Sequence, residues 1–366
     1  VTALKDGTFV AVWTRFDGDF DVVAQIYNAD GTPKNDPFQV NTSDTAQNGT
    51  SAPSSQRKPV VTALKDGGFA VAWMDYTQGP TGIDIRARVF SANGTARSDD
   101  FVATSTTFSD QTSPRIASYG DGFIVSALRH EGSTGVGTRV FDATGNTIDF
   151  GLAGNFESHS VAAMAGSPQG ARYAGMFISA ALDPNNSQIL LGAHNGAIVE
   201  ETMTIATGVF PSDVVVTALA NGRFVVTWVD PDTERFPDLT YKIKAVIFEA
   251  DGDRSAVWEL ISSTLEINKP VVAALPDGGF ALAYERDGDV RAQVHNATGS
   301  MTASPTLFTA ISPNVRRSLQ LRFCPMGGLS LAGRTLDKEP HQVSAPRLWT
   351  TVMPKTGTVA LAETVS

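Results

Sequence analysis

The stretch "RFDGDFDVV" sets Asp17, Asp19 and Asp21 at alternating positions. Carboxylates so spaced can offer several hard oxygen ligands to one cation, as at the start of a calcium loop. The Gly at the sixth position and the later Glu that complete an EF-hand are missing, so the calcium site expected here is incomplete. A second stretch, "VDPDTERFPDL", carries Asp230, Asp232 and Glu234, and "ERDGDV" carries Asp287 and Asp289. A competing reading stands beside this one. Asp and Gly also build hairpin turns in which the carboxylate caps its own backbone.

Other chemistry is less well signposted. The five histidines, His130, His159, His194, His295 and His341, include no pair spaced for zinc. His130 lies in "RHEGSTG" between Arg129 and Glu131, and His341 lies in "DKEPHQ". Glycoside cleavage needs two carboxyls at a defined separation. Glu131, Glu234, Glu285 and Asp287 are candidates, but no local pattern selects a pair. Nucleophile elbow, phosphate loop and dinucleotide fingerprint are all missing. Cys324 is the only cysteine, which excludes an internal disulfide and fits a small buried side chain. A net charge of −10 disfavours a phosphate backbone as partner. No apolar run reaches the roughly 18 residues of a membrane span.

The elements that position these residues come from a repeat. The chain opens "VTALKDGTFVAVW" and returns to "VTALKDGGFAVAW" at Val61–Trp73. Further copies are "VVTALANGRFVVTW" at Val215–Trp228 and "VVAALPDGGFALAY" at Val271–Tyr284. Weaker ones begin at Arg115 and Ser318, and a degenerate one spans Ser160–Ala180. Each reads as strand, Gly turn, strand. After each copy comes a third strand and a second Gly turn, centred on Gly31, Gly94, Gly145, Gly196, Gly252, Gly299 and Gly357, then a fourth strand.

Four antiparallel strands in roughly fifty residues is the period of propeller blades or solenoids. Such a sheet cannot cover its own faces, so neighbouring sheets must. The expectation is an all-β, seven-bladed β-propeller of four-stranded antiparallel blades. Its approximate blades are 1–58, 59–113, 114–158, 159–212, 213–269, 270–316 and 317–366, with six blades plus an irregular insertion as the alternative. Phe9, Trp13, Phe69, Trp73, Phe224, Trp228, Phe280 and Tyr284 share one slot pattern, and Tyr27, Phe90, Phe141 and Phe248 close the third strands. Both sets are expected to pack between blades. The segment from Asn41 to Pro59 is polar and reads as a loop.

The pattern "VTALKDGGFAVAW…DIRARVFSANGTARSDDFVATS" resembles tandem repeats of large bacterial exported proteins, often calcium-binding exoproteins of the RTX kind. The fit is good in blades one, two, five and six, moderate in three, and poor in four and seven. The resemblance implies an extracellular or cell-surface protein, adhesive or matrix-associated, with further domains of the same polypeptide. Val1 already lies inside the repeated phrase, so a processed or longer protein is expected. The Gly-Gly-x-Gly-x-Asp nonapeptides of that family are lacking, so calcium is not carried over from it.

In a propeller, loops between second and third strands converge with the inter-blade connections at one channel mouth, where ligands are commonly held. That selects Arg15, Tyr76, Arg129, His130 and Glu131 in the early blades, and Arg235, Arg286, Arg316, Arg317 and His341 in the later ones. The reading is a non-enzymatic binding or scaffold propeller that takes a protein or glycan partner. Its alternative is a polysaccharide-active hydrolase or lyase at the same mouth.

Overall fold

A computed structural model of the chain describes residues 1–42, 55–76, 82–104, 109–131, 133–155, 158–164, 169–183, 185, 187–195, 198–207, 211–232, 239–287, 289–308, 319–324, 328–333, 348–352 and 360–363. Among these, the strands form seven four-stranded antiparallel sheets, each a meander paired in chain order. The first sheet is Thr2–Ala3, Phe9–Phe16, Phe20–Tyr27 and Phe38–Gln39; the second is Gln56–Ala63, Phe69–Asp75, Asp84–Phe90 and Phe101–Val102. The third is Gln111–Tyr119, Gly122–Glu131, Ser133–Phe141 and Thr147–Asn155; the fourth is Ser158–Ala163, Phe177–Asp183, Gln188–Asn195 and Ile198–Thr207. The fifth is Ser212–Ala218, Phe224–Asp232, Thr240–Phe248 and Trp258–Ser263; the sixth is Ile267–Ala274, Phe280–Arg286, Asp289–His295 and Met301–Phe308. The seventh is Leu319–Cys324, Gly328–Gly333, Leu348–Val352 and Ala360–Glu363.

This is an all-β fold of repeated sheets, of the propeller or solenoid type. It divides into two compact units: residues 1–157 with 195–198, which hold the first three sheets, and 158–194 with 199–366, which hold the other four. No helix among the described residues is long and apolar enough to cross a membrane.

The repeated phrase folds as its residues dictate. In the first turns, Asp6 accepts from the Thr8 amide at 3.0 Å, Asp66 from Gly68 at 2.9 Å and Asp277 from Gly279 at 3.0 Å. In the second turns, Asp30, Asn93, Asp142, Asp251 and Asn296 do the same for the residue two further on. These are Asx turns, and they explain why Asp or Asn precedes Gly throughout.

Strand alternation then sorts the side chains by size. In the second sheet Phe69, Val71 and Trp73 face the first sheet and pack with Val10, Val22, Ala24 and Ile26. The intervening Ala70, Ala72 and Met74 face the third sheet and meet Phe123, Val125 and Phe141. The other unit repeats the scheme: Phe224, Val226 and Trp228 pack on the fourth sheet, and Val229 and Val225 meet Tyr284 and Phe280 of the sixth. Within each unit a bulky face of one sheet thus beds against the sheet before it: the second on the first, the third on the second, the fifth on the fourth and the sixth on the fifth. A period of two delivers this automatically.

The two aromatic sets stack on each other within a sheet. Ring centroids lie 5.2 Å apart for Phe9–Tyr27, 5.1 Å for Phe69–Phe90, 5.1 Å for Phe123–Phe141 and 4.5 Å for Phe224–Phe248. In the fourth and sixth sheets a histidine takes the third-strand slot: His194 stacks on Phe177 at 4.5 Å and His295 on Phe280 at 4.8 Å. The sequence reading gave these two histidines no place in the core. Imidazole is planar and close enough in size to fill the slot.

Two departures from the expected layout concern the inner strands. They begin ahead of the prolines, at Gln56, Gln111 and Ile267, so the chain from Gln56 onward is strand rather than loop. Lys58, Ser113, Asp213 and Lys269 each adopt positive φ, between 50° and 55°, next to a register shift in the pairing. At Lys58, Ser113 and Lys269, each followed by a proline, the bulge lets the strand pass a residue that cannot donate to the ladder; at Asp213, followed by Val214, the same bulge forms without one.

Candidate functional site at the loop end of the first two sheets

The structure gathers Arg15, Asp21 and Tyr76 at one end of the first and second sheets. Asp21 is buried, with Gln39 and Asn41 side-chain amides each donating to it at 3.0 Å, and it forms an ion pair with Arg15 at 3.9 Å. Asp17 is exposed and its amide donates to the Asp19 carbonyl at 2.9 Å, a turn contact. The three aspartates are therefore not aimed at one point. Among the described residues no group of three His, Cys, Asp or Glu could hold a metal ion.

The other candidates are dispersed. Arg129, His130 and Glu131 end the second strand of the third sheet, where His130 Nε2 meets Thr112 Oγ1 at 2.9 Å. In the other unit Asp230 pairs with Lys244, Asp232 with Lys242 at 3.2 Å, and Glu285 with Lys269 at 2.9 Å. The first two pairs engage Asp230 and Asp232 of the fifth sheet, and the third lies in the sixth. Arg286 ends the second strand of the sixth. Glu234, Arg235, Arg316, Arg317 and His341 lie outside the described residues.

Around Asp21 a polar seam runs from the first sheet into the second. Asn41 Oδ1 accepts from the Val22 amide at 2.9 Å, and its Nδ2 also reaches Gln56 Oε1 at 3.3 Å. Gln56 Nε2 donates to Asp75 Oδ1 at 3.2 Å. Arg86 then bridges two carboxylates, Asp100 at 2.7 Å and Asp75 at 3.7 Å. Asp100 also accepts from the Thr42 amide at 2.9 Å, which ties the chain leaving the first sheet to the second. Asn41, Gln56 and Asp75 are all buried. Buried polar groups hold a fold only when mutually satisfied, and these largely are.

Asp84 stands apart within this seam. It lies directly across from Asp75 in the strand pairing, and its Oδ1 is buried without a hydrogen-bond partner. Burial, and next the negative charge of Asp75, push its carboxyl up to about 6, with Arg86 opposing. Asp100 goes the other way: burial would raise it, but the Thr42 amide and Arg86 outweigh that and hold it below the usual range. Two carboxyls that both feel Arg86 are thus driven apart, the condition that separates an acid from a carboxylate.

A row of side chains adjoins the seam through the sequence neighbours of Asp21, Gln56 and Asp75. The Arg57 guanidinium lies 3.9 Å from the Phe20 ring centroid and 5.4 Å from that of Tyr76. Phe16 adjoins Phe20 at 4.9 Å and is 38% exposed. Arg57 itself is exposed, at the bulge made by left-handed Lys58. Sequence reasoning found Phe16 and Phe20 only as part of "RFDGDFDVV". It missed Arg57, Asp75, Asp84, Arg86 and Asp100. One usable signal was present: Gln56 and Gln111 each stand three residues before a proline, in "QRKP" and "QTSP".

No family model matches the sequence, and no curated protein does. Solved structures are similar in fold. A candidate 6-phosphogluconolactonase from Bacteroides uniformis superposes with TM-score 0.55 at 13% identity, over 98% of this chain and 96% of that one. Prolyl oligopeptidase B from Galerina marginata gives 0.53 at 11% identity, over 100% of this chain and 50% of that one. A post-proline cleaving enzyme from Rickettsia typhi gives 0.51 at 9% identity, over 98% and 52%. The chain spans about half the length of the last two. At such identities the likeness is one of fold alone.

Proposed function

We propose that this chain is a propeller that acts on a polysaccharide, holding the sugar on the Phe16–Phe20–Arg57–Tyr76 row and cleaving it with Asp84 as general acid. The observation that carries this reading is the Asp84 carboxyl, pushed up to about 6 by burial and Asp75, on a strand pair whose Asp75 is followed by Tyr76 of the partly exposed aromatic row. Aromatic faces suit the C–H faces of pyranose rings, and a guanidinium suits their oxygens. Asp84 gives its proton to the glycosidic oxygen as the C–O bond breaks. Water then adds its hydroxyl to the anomeric carbon, and its remaining proton restores Asp84.

The seven four-stranded sheets support the seven-bladed reading of the repeat. The repeat supports an exported protein. The solved structures of similar fold are by name a candidate lactonase and two peptidases. That supports a fold able to carry hydrolysis and says nothing of the bond.

A second reading, binding without turnover in adhesion or extracellular assembly, is favoured by one observation. Asp75 and Asp100 are already engaged by Gln56, Arg86 and Thr42, as structural carboxylates are. Incubation with a polysaccharide panel separates the two. New reducing ends that vanish in Asp84→Asn support hydrolysis; retention of the polymer without new ends supports binding alone.

A further inference from the structure

The three guanidiniums of the site are not alike. Arg15 faces Asp21 at 3.9 Å, and Arg86 is held between Asp75 and Asp100. Arg57 makes no ion pair among the described residues. It lies over the faces of Phe20 and Tyr76. Stacking engages the π-face of the guanidinium and leaves its N–H edge in the plane, where a bidentate oxyanion docks. Lys58, exposed and next in sequence, adds a second positive charge at the same bulge. Two exposed cations side by side contrast with a chain whose net charge is −10.

Pre-orientation matters here. A free surface arginine loses rotamer freedom when it grips a ligand, whereas one already laid on two rings loses less. The bulge supplies the aim, because the register shifts between Arg57 and Val60 around left-handed Lys58. A neutral sugar would not need a cation so placed.

We infer that the saccharide taken by this row is anionic, with Arg57 receiving its carboxylate or sulfate edge-on while a ring packs on Phe16 and Phe20. The inference rests on the carbohydrate reading above and narrows it to acidic glycans. Uronate carboxylates and sulfate esters share this chemistry.

The test is calorimetry of the full chain with three oligosaccharide probes of matched length: a polyuronate, a sulfated galactan and a neutral glucan. The wild type is expected to bind one of the two acidic probes at least about tenfold more tightly than the neutral one. Arg57→Ala should remove most of that preference while leaving thermal melting unchanged, since Arg57 is exposed. Arg57→Lys should recover only part of it, because the ammonium keeps the charge and loses the planar fork. Which acidic probe wins identifies carboxylate or sulfate. Equal binding of acidic and neutral probes, or an Arg57→Ala variant with its preference intact, overturns the inference and leaves the carbohydrate reading standing. No binding of any probe overturns both.

Discussion

Arg86→Met tests the polar seam most sharply. Arg86 sits 2.7 Å from Asp100 and 3.7 Å from Asp75, with side chains only 18%, 5% and 4% exposed. Its charge also opposes the rise of Asp84. Met keeps much of the side-chain volume and removes the cation that bridges Asp75 and Asp100 and opposes the rise of Asp84. Breaking a buried pair from one side costs about 3–5 kcal/mol, because the remaining charge stays desolvated. The sign with pH follows from the groups involved. In the wild type Asp100 is held below its ordinary value of 3.8, so its contribution is fully present above that pH and is lost only as pH falls through the lower folded value. In the variant the carboxyls of Asp84 and Asp100, which Arg86 holds down, shift upward. They take up protons on mild acidification, and the penalty shrinks. Urea unfolding at pH 7.5 and pH 5, followed by tryptophan fluorescence, reads both. The expected loss is about 3–5 kcal/mol at pH 7.5 and clearly less at pH 5. A loss under about 1 kcal/mol at pH 7.5, or equal losses at both pH values, refutes the reasoning.

Three further outcomes are expected. Activity on polysaccharide should fall as pH rises through about 6, since Asp84 is protonated below that value and serves as the acid; Asp84→Asn should abolish turnover at every pH while leaving sugar binding in place. Burial pushes His194 down to about 4 from 6.5, so the unfolded chain takes up the proton first and stability falls as pH drops from 6.5 toward 4, by up to about 3 kcal/mol. His194→Tyr, which restores the aromatic used in other sheets, should flatten that dependence in a pH series of melting temperatures. Gly145→Ala places a methyl 2.5 Å from the Phe101 ring at φ +94°, whereas Gly7→Ala meets nothing within 4 Å at φ +84°. Both incur the left-handed penalty of about 1–2 kcal/mol, and only the first adds about 1–3 kcal/mol of overpacking, visible as a larger shift in denaturation midpoint.

The architecture was legible because it repeats. Alternation of Phe, Val and Trp with Ala, Ala and Met in the second sheet is a period-two signal, and the Asx-Gly turns punctuate it. The turns at Gly196 and Gly357 fall outside the described residues. The site was less legible, and the reason is physical. Asp75 and Asp84 lie eight or more positions apart and become neighbours only through strand pairing, while Asn41 and Gln56 meet across two sheets. Local spacing cannot encode such contacts. It favoured Asp17, Asp19 and Asp21 because they are close in sequence, yet Asp21 lies on the strand Phe20–Tyr27 and is buried in the seam, while Asp17 lies in the turn before it and is exposed. His194 and His295 were unreadable for another reason. Each substitutes chemically for Phe or Tyr, and His295 hides its polarity between Gln293 Nε2 at 2.8 Å and the Gly299 carbonyl at 2.8 Å.

The central claim, that a glycan is cleaved at the loop end of the first two sheets, meets its most direct test in reducing-end release from acidic polysaccharides at pH 5.5. The account predicts release by the wild-type chain and none by Asp84→Asn, with both proteins retaining the polymer equally. Release that persists undiminished in Asp84→Asn would contradict it.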